Sequence, residues 1–157
     1  MGNVALSMWN RFSRLPGGKA LFSRAVSIKT PYFRSIAPQM IELRPGYCEA
    51  RMRKRWSVTN HIGTVHAIAM CNLAEFCGGL LTEVSVPADT HRWIPKGMTV
   101  EYIKKAETDL RAVSELPRDQ AWPEALELPV TVNVTDAAGE LVFRAVIRMW
   151  VTAKKAR

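Results

Sequence analysis

The chain has 157 residues, enough for one compact domain with a core of its own and too few for two ordinary ones. Hydrophobic residues make up 48% and charged residues 23%, an ordinary soluble composition, and no apolar run approaches the roughly 18 residues that cross a bilayer, so membrane insertion is not expected. The net charge of +8 is unevenly placed: Arg11, Arg14, Lys19, Arg24, Lys29 and Arg34 precede the first acid, Glu42, leaving 16 positive against 14 negative residues in the remainder.

In chain order, Ala5, Met8, Trp9, Phe12 and Leu15 recur at helical spacing, Pro16-Gly17-Gly18 interrupts them, and Leu21, Phe22, Ala25, Val26 and Ile28 resume. This predicts two short amphipathic helices lying against something larger and ended by Pro31 and Pro38. A basic, acid-free segment rich in Ser also matches an organelle transit peptide; the Pro-Gly-Gly break and spaced aromatics favour the helices. No helix-turn-helix pattern appears there, and nucleic acid is not an expected partner.

Ile41 to Leu43, a turn at Pro45-Gly46, and Ala50, Met52, Trp56 and Val58 alternating with Arg51, Arg53, Arg55 and Ser57 predict a hairpin, broken once by Lys54. The arginine row reads either as the solvated outer face of a sheet or as a phosphate site; a single aromatic and no glycine favour the first.

His61 to Val84 holds no proline, and from Val65 onward apolar residues point in almost every direction around a helix. That predicts a central helix buried on nearly all sides, with Thr64, Asn72, Glu75 and Thr82 on one narrow polar stripe and Glu75 held largely out of water. Cys71 and Cys77 lie on this helix and read as small core residues. With Cys48 they make an odd, sparse set that fits neither a disulfide framework nor zinc and suits a reducing cytoplasm. The three histidines, His61, His66 and a loop-like His91, have no metal-ligand spacing, and no cofactor is implied.

After a loop containing Pro87 and Pro95 the pattern is strand-like to the end. Met98, Val100 and Tyr102 alternate; Leu110 to Leu116 follows; Val130, Val132 and Val134 alternate strictly; Asp136-Ala-Ala-Gly139 turns the chain into Leu141, Phe143, Ala145, Ile147, Met149 and Val151. An antiparallel sheet therefore follows one long helix, an α+β arrangement.

Asn60-His61-Ile62-Gly63-Thr64-Val65-His66, followed by Leu73-Ala74-Glu75 with Glu75 nine residues beyond His66, resembles the hotdog thioesterases of the phenylacetic-acid and 4-hydroxybenzoyl-CoA types. In these an Asn precedes the helix, a His-Gly-Gly opens it, and an acid two turns in carries catalysis; here His66-Ala67-Ile68 stands in place of His-Gly-Gly. Ile94-Pro95-Lys96-Gly97-Met98-Thr99-Val100-Glu101-Tyr102 is similar to the strand after the helix in an uncharacterised subgroup. The resemblance covers about residues 38–153 and implies a hotdog fold, a sheet wrapped around the helix, as one domain over 1–157 with an N-terminal helical extension at 1–37 and a core at 38–157.

It also implies an acyl-CoA or acyl-carrier thioester hydrolase, working as a homodimer or dimer of dimers with each site at the subunit interface. Glu75 is then the base or nucleophile, or else a satisfied core glutamate at that interface. Asn60 either caps the helix or orients water or substrate, and His66 either holds the loop or takes a catalytic part. Amides near His66 and Ala67 offer an oxyanion hole. His61, Gly63, Thr64 and Asn72 are candidates to line the pocket, and the acyl group is expected near Cys71, Leu73 and Phe76. Arg92, Lys96, Lys104 and Lys105 are candidates for coenzyme A phosphates. A hotdog hydratase or dehydratase, and a non-catalytic acyl-thioester binder, remain as competing readings.

Overall fold

The structure, a computed structural model, describes residues 3–117 and 119–155. Two helices open it, α1 (Val4–Phe12) and α2 (Gly18–Lys29), followed by a short 3-10 helix at Pro31–Ser35. Strands β1 (Gln39–Arg44) and β2 (Tyr47–Met52), helix α3 (Ala67–Ser85), and strands β3 (His91–Tyr102), β4 (Leu110–Glu115), β5 (Ala125–Thr135) and β6 (Leu141–Ala153) complete it. The six strands form one antiparallel sheet in the order β1-β2-β4-β5-β6-β3, so β1 and β3 are its edges.

Strand alternation decides which side of the sheet is dry. Val130, Val132 and Val134 of β5 and Ala145, Ile147, Met149 and Val151 of β6 are essentially inaccessible, and the residues between them are exposed or half-buried. On the dry side lies α3, seated with Leu73, Ala74, Phe76, Cys77 and Leu81 in the core. Gly78 sets how close it comes: a Cβ there would stand 3.0 Å from Ile147 Cδ1 and 3.1 Å from Val132 Cγ2. By length and composition α3 also qualifies as a bilayer-crossing segment, contrary to the reading of the sequence, yet most of it is buried against the sheet.

Several local expectations change. β2 stops at Met52, and Trp56–Val58 forms a 3-10 turn with Trp56 92% exposed instead of prolonging a hairpin strand. The reason is Arg55, whose guanidinium donates to the Ser35 and Ile36 carbonyls at 2.9 Å and turns the chain toward the N-terminal segment. β3 begins at His91, not in the Met98 region; Pro95 is accommodated because β3 is an edge strand with a bulge between Pro95 and Gly97. His91 is accordingly buried, its Nε2 3.1 Å from the Pro123 carbonyl oxygen.

The expectation that α3 is covered on nearly all sides is also corrected. Ile68 and Glu75 are exposed and Cys71 and Gly79 half-buried, which at helical spacing is one open stripe. Asn72 and Thr82 do not share it; both are buried. Thr82 donates back to the Gly78 carbonyl, and Asn72 donates to Ser35 Oγ, fastening the 3-10 helix.

Adjacent glycines should respond oppositely. Gly78→Val overpacks the helix–sheet contact and should cost roughly 1–3 kcal/mol. Gly79→Ala, where the nearest atom to a Cβ is 3.8 Å away on Trp93, should gain up to about 1 kcal/mol of helix propensity. Urea unfolding of both variants checks this; a shift in the same direction for both would refute the seating of α3.

Candidate active site

The start of α3 is built by the Asn60–His66 loop. Asn60 Oδ1 accepts from the Ile62 and Thr64 amides at 3.1 Å, and its Nδ2 donates to Thr64 Oγ1 at 2.8 Å. Asn60 is thus a loop clamp and not the helix cap; the helix begins at Ala67, two residues beyond the start of the apolar pattern at Val65. His66 is the cap, its Nδ1 accepting from the Ile68 amide at 3.1 Å while its carbonyl takes the Ala69 and Met70 amides. Of the first-turn amides, only that of Ala67 finds no acceptor among the described residues.

His61 and Gly63 lie exposed on this loop, and Thr64 is buried beneath it. A shallow hollow beside the helix start is lined by His66, Ile68 and Asn72 together with Ser35 and Thr59.

Glu75 lies elsewhere. Nine residues beyond His66 correspond to about 13.5 Å of rise and two and a half turns, so it faces the opposite side of α3 from the cap. The expectation that it is withdrawn from water fails in the single chain: Glu75 is exposed, because neither sheet nor N-terminal helices cover the open stripe. Its carboxylate has no hydrogen bond or ion pair with any described residue. It stands at the rim of an apolar cleft of about 320 Å³ between α1, α2, α3 and Trp93, whose walls include Met8, Val26, Phe33, Phe76 and Leu80.

One turn toward the helix start, Cys71 Sγ is 3.4 Å from the Tyr102 hydroxyl, and this contact, with burial, pushes the phenol up to about 12. Of the expected acyl-lining residues only Phe76 reaches the cleft; Leu73 is fully buried against the sheet. Of the phosphate candidates Lys105 is simply exposed, and the other three are engaged elsewhere. Lys96 pairs with Glu127 at 3.6 Å and stacks 4.6 Å over Trp150, Lys104 pairs with Glu140, and Arg92 donates to Thr152. The cleft-lining side chains of α1 and α2 and Trp93 escaped functional reading of the sequence, although the helical spacing of Met8 and Val26 marked an apolar face that needed a partner.

Among the described residues no group of three or more His, Cys, Asp or Glu could hold a metal ion. Cys48 and Cys77 are fully buried; burial pushes the Cys48 thiol well up, and Cys77 donates to the Cys48 carbonyl at 3.4 Å.

A six-stranded antiparallel sheet wrapped on one long helix, with its loop clamp and capped helix start, is the hotdog fold of the thioesterase superfamily. Residues 18–151 match the family described as Domain of unknown function (DUF4442), and the chain belongs to that family. A structural-genomics crystal structure is 46% identical over 96% of this chain and 98% of its own, with a TM-score of 0.83. A Pseudomonas aeruginosa protein described as a probable thioesterase of unknown function is 25% identical, over 89% of this chain and 97% of its own, with a TM-score of 0.78. Zebra fish thioesterase superfamily member 2, at 17% identity, covers 85% of this chain and 94% of its own with a TM-score of 0.68, a likeness of fold alone. Among curated proteins none matches this sequence.

His66→Ala should cost about 0.5–2 kcal/mol by uncapping α3, and His66→Asn should recover most of it. Denaturant unfolding of the two variants measures this directly, and equal stability of wild type and His66→Ala would remove the capping role.

Proposed function

We propose that this protein hydrolyses acyl thioesters of coenzyme A or an acyl carrier, with Glu75 as the catalytic carboxylate. The observation that carries the reading is the carboxylate of Glu75, without a partner among the described residues and beside an apolar cleft, in a fold shared with the probable thioesterase at 25% identity. Glu75 either draws a proton from water as that water attacks the carbonyl carbon, or attacks it directly to give a mixed anhydride that water then cleaves. In both routes the C–S bond breaks, the thiolate leaves and takes up a proton, and the acyl group departs as the carboxylic acid.

The developing oxyanion needs donors fixed in place, and the Ala67 amide at the positive end of α3 suits that task. One chain cannot present both groups to a single carbonyl, since they lie about 12 Å apart along the axis and roughly a quarter turn apart around it. A second copy supplies the missing half: the helix start of one subunit faces Glu75 of the other. The free edge of β3, with Ile94 60% and Tyr102 51% exposed, is the natural seam, because an unpaired strand edge with apolar side chains seeks a partner. The protein is therefore a homodimer or a dimer of such dimers.

Within this site His66 and Asn60 are positioning residues, one setting the Ala67 amide and the other the loop before it. His61, Gly63 and Thr64 shape the same loop, and Asn72 anchors the 3-10 helix beside it. Lys96 and Lys104 reach coenzyme A phosphates only by leaving Glu127 and Glu140, which is feasible because exposed ion pairs contribute little. A non-catalytic thioester binder is favoured by one feature, the 54% exposed Ile68 side chain where related enzymes carry a glycine.

A panel of acyl-CoA thioesters with a thiol reporter separates these. Wild type should release free thiol, and Glu75→Gln should lose roughly 10²–10⁴-fold in kcat/KM while keeping its fold by circular dichroism. Equal turnover by the two would take Glu75 out of the mechanism; tight binding with no thiol release would favour the binder.

A further inference from the structure

The cleft beside Glu75 is walled on one side by elements outside the sheet-and-helix core. α1 contributes Val4, Ala5 and Met8, and α2 contributes Ala25 and Val26, opposite Phe76 and Leu80 of α3. Glu75 stands at the rim and Glu83 two turns further along the same helix, about 12 Å away along the axis. The Glu83 end is tied: Asn3 Nδ2 donates to the Glu83 carbonyl, and the Trp93 indole donates to Glu83 Oε2 at 3.0 Å. The same Asn3 caps α1, its Oδ1 accepting from the Leu6 amide at 3.0 Å, so one residue sets both the helix and its distance from α3.

We infer that this cleft holds a straight aliphatic acyl chain, with the N-terminal helix pair as the wall that sets how long a chain is accepted. The inference rests on the hydrolase reading, since it places the reacting carbonyl at Glu75. The lining is mostly apolar, with Lys29, Thr30, Glu75 and Glu83 as its polar side chains besides the Trp93 indole already bound to Glu83, so a chain with several polar substituents would find few partners along it. A cleft of about 320 Å³ lies at the small end of ligand sites, and its length matches an extended chain of on the order of eight to ten carbons. Each methylene withdrawn from water should tighten binding about fourfold until the Glu83 end is reached.

Straight-chain alcohols of increasing length, titrated calorimetrically into the full chain, probe the cleft without any thioester chemistry. Wild type should bind more tightly with each added carbon and then level off. Ala25→Phe on α2 and Gly79→Leu on α3 fill the cleft from opposite walls, and the second also favours the helix. Each should move the plateau to shorter chains and weaken the longest alcohols at least tenfold, with an equal fall in the long-to-short ratio of kcat/KM on acyl-CoA substrates. Absence of saturable binding to wild type, or an unmoved plateau in both folded variants, overturns the assignment. Length-dependent binding without any thioester turnover sinks the hydrolase reading and leaves the cleft as an aliphatic site. Turnover with an unaltered length profile sinks the cleft alone.

Discussion

The close seating of α3 on the sheet governs the rest of the molecule. Gly78 lets the helix settle onto Val130, Val132 and Ile147, and this contact fixes its rotation about its own axis. Once that rotation is set, Leu73 and Cys77 must face the sheet, and the stripe of Ile68, Cys71, Glu75 and Gly79 must face away. The position of the only carboxylate in the first half of the helix thus follows from a packing contact one turn further on. A helix rotated by a single residue's 100° would bury Glu75 among apolar side chains, at a cost no partner among the described residues would offset.

How much of this was legible depends on which forces act locally. The strands β4, β5 and β6 were readable because a half-buried antiparallel sheet writes its two faces into strict alternation, as Val130-Thr131-Val132-Asn133-Val134 does. The start of α3 near His66 and Ala67 came from the resemblance and not from capping chemistry, because His66 is outside the usual capping residues while Asn60, a favoured one, is occupied by its own loop. Trp56 and Val58 continue the apolar alternation of β2, yet the strand ends earlier because Arg55 is drawn to two carbonyls contributed from some twenty residues away. Such a long-range bond leaves no trace in a local pattern.

The exposure of Glu75 was hidden for a related reason. Periodicity reports that a helix is apolar on most of its surface; it does not tell whether the chain itself supplies every cover. Here the sheet covers one side, α1, α2 and the 3-10 helix cover part of another, and the remaining stripe is left open beside the unpaired edge of β3. The N-terminal basic segment shows the converse. Its charge also matched a transit peptide, whereas its apolar face, through Met8 and Val26, forms the wall of the cleft, with Lys29 beside it.

These placements divide the proposed chemistry between what one chain prepares and what association adds. A lone subunit already fixes the Ala67 amide through the His66 cap and holds an apolar cleft beside Glu75, but the carboxylate remains in water, where its interactions are weak. Covering the open stripe with a second subunit would exclude that water and strengthen every charge interaction between carboxylate, carbonyl and amide dipole at once. Folding the single chain then carries no cost of a buried unpaired charge, and in the proposed dimer the desolvation would fall on assembly, where the apolar edge of β3 and the exposed Ile68 would provide surface whose burial offsets it. The proposed arrangement would tie activity to the assembled state, because a single chain does not bring the Ala67 amide and the Glu75 carboxylate within reach of one carbonyl carbon.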